Sequence, residues 1–79
     1  MKDDVFEKIS EVFKNYNIDI DNIDKHISLI ENNITDSLTF VNILLEIEDT
    51  LNVLINFDEI DMDQLVYIDN IVNYIKSIS

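Results

Sequence analysis

The sequence predicts an all-α fold, a small four-helix bundle with three long helices, a short third helix and a long loop between the first two. Three observations lead there. The 79 residues suffice for one small domain, residues 1-79, with one modest core. Hydrophobic residues make up 47% of them, too many for a disordered acidic tail. Glycine and proline are both absent, which argues against tight hairpins, while apolar residues recur with a helical period in three separate stretches.

Helix I is expected over roughly residues 2 to 15. Val5, Ile9, Val12, Phe13 and Tyr16 follow one another at helical spacing, with Asp3 and Asp4 near the start and Lys14 near the end, as the helix dipole prefers. Residues 16 to 36 scatter Ile18, Ile20, Ile23, Ile27, Ile30 and Ile34 among Asn and Asp without a lasting period. An ordered loop is expected there, pinned by its isoleucines and with room for a short helical turn. Loops of that length in compact domains are uncommon unless functional. Without glycine, Asn and Asp have to make the turns.

Helix II is expected from Ser37 to about Leu51, where the pattern is strongest. Phe40, Ile43, Leu44, Ile47 and Leu51 form one core stripe. Ser37, Val41 and Leu45 form a second row at i, i+4 and i+8. That row has two readings, a helix buried on a wide face or an apolar strip used for contact with partners. The segment Val53-Leu54-Ile55-Asn56-Phe57 could pass for a strand but has no second strand to pair with, so a loop plugging the core is expected. Asp58 to Asp63 is an acidic patch leading into a short helix III. Ile68, Ile71, Val72, Ile75 and Ile78 then restore the helical period as helix IV, with Asp69 in its first turn and Lys76 in its last.

Seventeen acidic residues against five lysines give a formal net charge of −12. Nucleic acid is therefore excluded as a partner, since a phosphate-binding surface needs clustered Lys and Arg. Basic protein surfaces are the natural partners. Cysteine is absent, so any thiol chemistry has to come from an attached group. Met1-Lys2-Asp3-Asp4 places acids where a signal peptide needs a basic patch, and no stretch reaches transmembrane length. A cytoplasmic location, no membrane insertion and a monomeric state are expected.

The candidate site is Asp36-Ser37-Leu38. Asp36 suits the N-cap of helix II, its carboxylate accepting from the N–H of Leu38 or Thr39. Ser37 then falls in the first turn, where free N–H groups and the positive end of the dipole favour a covalently attached phosphate. Other chemistry is thin. A triad of Ser37, His26 and Asp36 needs an oxyanion site and a fold that brings the loop histidine to the serine. The Asp19, Asp21 and Asp24 cluster resembles a calcium loop, but the glycine at its sixth position and the glutamate at its twelfth are missing, the twelfth being Ile30. No metal site and no catalytic residue are assigned.

The chain resembles the acyl and peptidyl (aminoacyl) carrier proteins. The likeness rests on acidity, length, the long first loop, Ile34-Thr35-Asp36-Ser37-Leu38-Thr39-Phe40-Val41 opening helix II, and the closing Tyr67-Ile68-Asp69-Asn70-Ile71-Val72-Asn73-Tyr74-Ile75. It implies a non-enzymatic carrier whose Ser37 receives 4′-phosphopantetheine from coenzyme A through a phosphopantetheinyl transferase that recognises Asp36. It further implies that Leu38, Val41 and Leu45, with the acids Glu46, Glu48 and Asp49, face partner enzymes with basic surfaces. Those partners load and transfer acyl or aminoacyl thioesters in fatty-acid, polyketide, nonribosomal-peptide or D-alanyl-type pathways. The thiol would then be on the arm, in keeping with the missing cysteine.

Four positions depart from the family's pattern. Asn33 stands where a glycine usually precedes the motif, and Asn is the commonest substitute for a left-handed backbone. Thr39 and Asn42 replace the early acids of fatty-acid carriers, which favours a stand-alone carrier of a specialised pathway. Tyr67 stands where the family often has Thr. The alternative function is an acidic helical interaction protein, such as a DNA mimic, with no prosthetic group.

Overall fold

Helical periodicity in the sequence becomes four α-helices in a computed structural model that describes residues 4–79. They are α1 (Asp4–Lys14), α2 (Ser37–Leu51), α3 (Met62–Leu65) and α4 (Ile68–Ile78), with a 3₁₀ turn at Ile20–Asn22. Among the described residues there is no strand, only an isolated bridge between Ser28 and Tyr67. No helix among them is long and apolar enough to cross a membrane. The radius of gyration is 11.4 Å, against about 12 Å for a compact domain of this length.

Each long helix buries the face that its spacing marks. In α1, Ile9, Val12 and Phe13 are buried, Val5 is half-buried, as is Tyr16 just beyond the helix, and Asp4 and Lys14 sit at the ends that the dipole favours. Asp3, expected near the start of this helix, lies outside the described residues. In α2, Phe40, Ile43, Leu44 and Ile47 are buried, with Leu51 packed at the edge. In α4, Ile68, Ile71 and Ile75 are buried, while Val72 and Ile78 flank them. α1 packs chiefly on α2 and also on α4.

The segment between α1 and α2 follows its isoleucines except Ile27, which does not join the core cluster. Ile18, Ile20 and Leu29 enter the core, and Ile23, Ile30 and Ile34 pack against it. Asp19 caps the 3₁₀ turn by accepting from Asp21 N–H. Asp21 in turn accepts from the buried Ser10 hydroxyl at 3.4 Å and meets Lys14 Nζ at 3.8 Å, tying the turn to α1. Further along, Leu29 N–H donates to Val66 O at 3.0 Å and Asp69 N–H to Lys25 O at 3.4 Å. Residues 25–29 are thus stitched to the α3–α4 junction.

Asparagine makes the left-handed turns in a chain that has no glycine. Among the described residues, the positive backbone φ angles are those of Asn17 (62°), Asn33 (58°) and Asn52 (53°). Asn tolerates this left-handed region better than other residues with a Cβ. Asn52 ends α2, its N–H donating to Asp49 O and Glu48 O. Asn33 sits three residues before Asp36, where a bend is needed to bring the chain onto α2.

The segment 53–57 differs from its expectation. Only Ile55 plugs the core, Val53 packs at its edge, and Leu54 and Phe57 are exposed. In an extended chain successive side chains point to opposite sides, so seating Ile55 turns its neighbour Leu54 outward.

Candidate functional site

Asp36 is the N-cap of α2, with extended backbone angles and a carboxylate Oδ1 that accepts from Thr39 N–H at 2.7 Å. Of the two donors expected from the sequence, Thr39 is the one used. That backbone bond, aided by the Thr39 side chain, holds the exposed Asp36 carboxyl below its ordinary value. Asp36 O accepts from Phe40 N–H at 2.9 Å, the first turn of the helix. The N–H groups of Ser37 and Leu38 have no intrahelical acceptor at this end, as for any helix start.

Ser37 is the first residue of α2 and is exposed. Upstream, Ile34 N–H and Thr35 N–H both donate to Leu29 O at 3.0 and 3.2 Å, and Thr35 is buried. The approach to the serine is therefore fixed by the core-seated Leu29. Ser37 stands at one wall of a cleft of about 670 Å³ whose apolar lining includes Phe40 and Val41 of α2, Met62 of α3 and Val66. Ser28 and Tyr67, the two bridged residues, contribute polar groups, as do Glu31, Asp63 and Gln64.

The second row of α2 is split by the fold, with Leu45 47% exposed and Val41 half-buried at the cleft, while Leu38, beside Ser37, is 75% exposed. Apolar surface therefore extends from the first turn of α2 into its middle. Glu46 and Glu48 have intramolecular partners. Glu46 Oε2 accepts from Asn15 Nδ2 at 3.0 Å, joining α2 to the end of α1. Glu48 Oε2 accepts from Ile55 N–H at 2.7 Å, holding the following loop against α2. Asp49 is exposed.

The other titratable candidates have separate partners. His26 is exposed and its Nδ1 lies 3.2 Å from Asp69 Oδ2, whereas Asp36 is engaged with Thr39. Asp19 caps the 3₁₀ turn, Asp21 meets Ser10 and Lys14, and Asp24 accepts from His26 N–H at 2.8 Å. No group of three or more potential metal ligands occurs among the described residues. Tyr67 occupies the N-cap of α4 without a side-chain cap bond, and Tyr74 Oη accepts from Asn56 N–H at 3.2 Å.

Sequence reasoning missed Leu54, 83% exposed, and Phe57, 36% exposed. The alternation within Val53–Phe57 carried a signal, but choosing the inward member required knowing that Ile55 meets Glu48. It also missed the cleft lining from Ser28 and from Met62 and Tyr67, two segments far apart in sequence. No family model matches the chain, and no curated protein and no solved structure matches it.

Proposed function

We propose that this protein is a carrier, organised as a small four-helix bundle, that is modified on Ser37 with 4′-phosphopantetheine and presents acyl or aminoacyl thioesters to partner enzymes. The observation that carries the reading is Ser37 itself, an exposed hydroxyl in the first turn of α2, directly after a carboxylate N-cap and beside a cleft of mixed apolar and polar lining. The N–H groups of Ser37 and Leu38 and the positive end of the helix dipole favour a phosphodiester at that hydroxyl. The residues present fit such an arm. Phe40, Val41, Met62 and Val66 offer apolar contact next to the attachment point.

When attached, the arm supplies the thiol that the polypeptide lacks. The chain's own residues do the rest. Asp36 fixes the start of α2 and so the orientation of Ser37, and exposed Leu38 and Leu45 provide apolar contact on the same helix. The acidic surface favours encounter with basic enzymes. A stand-alone carrier of a specialised pathway is preferred, because the first turn of α2 contains no acidic residue.

Incubation with coenzyme A and a promiscuous phosphopantetheinyl transferase is expected to add the mass of one arm, read by intact-mass spectrometry. Ser37→Ala is expected to abolish the gain while the helical circular dichroism spectrum is retained. Absence of any gain with several transferases would remove the reading.

A further inference from the structure

Leu54 has the greatest exposure of any large apolar side chain among the described residues, and it is held there. Val53 N–H donates to Glu48 O at 3.1 Å and Ile55 N–H to Glu48 Oε2 at 2.7 Å, while Asn56 N–H donates to Tyr74 Oη at 3.2 Å. The backbone on both sides of Leu54 is thus tied to α2 and α4. Asp58 N–H donates to Asn56 Oδ1 at 3.2 Å, turning the chain around Phe57. An apolar side chain presented on so constrained a loop loses little freedom when a partner covers it.

Charge decides what kind of partner fits. No lysine or arginine occurs between Lys25 and Lys76, so α2, the loop after it and α3 all belong to a stretch of one sign. Asp49, Asp58 and Glu59 are exposed close to Leu54 in the chain. A second copy would bring this acidic stretch against itself, and like charges disfavour that pairing. An apolar socket rimmed by Lys and Arg is the complement. An enzyme that brings coenzyme A to Ser37 needs cations at its active site to hold the phosphates of that substrate. It therefore has a basic face near the serine. The 15 residues of α2 span about 22 Å, short enough for one interface of standard size, about 800 Å² per partner, to reach both ends.

We propose that Leu54 and Phe57 form a second docking anchor, remote from Ser37, for the basic enzyme that modifies Ser37. The choice of partner rests on the carrier function proposed above. The anchor is tested by transfer kinetics with coenzyme A and a promiscuous phosphopantetheinyl transferase, read by intact mass on wild type, Leu54→Ser, Phe57→Ser and the double variant. The double variant is expected to raise KM for the carrier by about fivefold or more, with kcat within about twofold. Wild-type KM is expected to rise with added salt. Both positions are exposed, and thermal melts by circular dichroism verify that the variants remain folded. Modification of wild type with unchanged KM in the double variant overturns the anchor and leaves the carrier function standing. No modification of wild type removes both. Sedimentation velocity of the unmodified chain is expected to show a monomer, whereas a dimer lost in Leu54→Ser would assign the patch to a second copy and overturn the proposal.

Discussion

Asp36 connects a local hydrogen bond to the behaviour of the candidate site. Its carboxylate accepts from Thr39 N–H, and its pKa is lowered chiefly by that bond. A lowered folded-state pKa contributes stability that is fully present above the unfolded-state value and is lost as pH falls through the folded one. Asn can still cap the helix but carries no charge. The stability difference between wild type and Asp36→Asn is therefore expected to be constant near neutral pH and to shrink below about pH 4. Urea unfolding at a series of pH values measures it, and a difference that grows toward acid would contradict the capping role. Asp36 was legible because an N-cap depends on residues only two or three positions away. Asn33 was legible for a similar reason, since in a chain without glycine few residues accept its φ of 58°.

At the scale of elements, the acids late in α2 acquire a meaning that the sequence did not disclose. Glu48 lies in the last turn, where a negative charge opposes the helix dipole. Its carboxylate is used by Ile55 N–H at 2.7 Å, so it fastens the loop that seats Ile55 in the core. Glu48→Gln keeps an acceptor and removes the opposing charge, and is expected to leave stability nearly unchanged. Glu48→Ala is expected to destabilise by about 1 kcal/mol and to speed hydrogen exchange at the Ile55 amide. Equal exchange rates in the two variants would show that the loop is held by other contacts. Glu46 likewise bonds Asn15 at the end of α1. Spacing alone placed both glutamates on α2, but their partners lie 7 and 31 residues away.

The whole molecule carries its net charge of −12 within extents of 32 × 28 × 20 Å. Near 0.01 M salt the Debye length is about 30 Å, so charges across the entire molecule repel. Near 0.15 M it is about 8 Å, and only neighbours do. The melting temperature is therefore expected to rise over this range, as self-repulsion of the compact state is screened. A calorimetric series at constant pH measures the rise. A fall would mean that local attractions such as Lys14–Asp21 outweigh the general repulsion. Exposed pairs of this kind are worth little, which favours the rise.

The sequence by itself determined the helical class, the core stripes of α1, α2 and α4, the start of α2 at Ser37 and its cap at Asp36. These are short-range properties, set by side chains three or four residues apart and by the donors that a helix start leaves free. Only the tertiary structure decided that Leu54 faces outward while Ile55 faces in, that Glu46 and Glu48 have intramolecular partners, and that residues of the first loop and of the α3–α4 region join α2 in a cleft beside Ser37. Each of those outcomes depends on groups that lie beyond one helical turn of each other in the chain. The alternation at residues 53–57 allowed either face to turn inward until Glu48 and Tyr74 fixed the backbone.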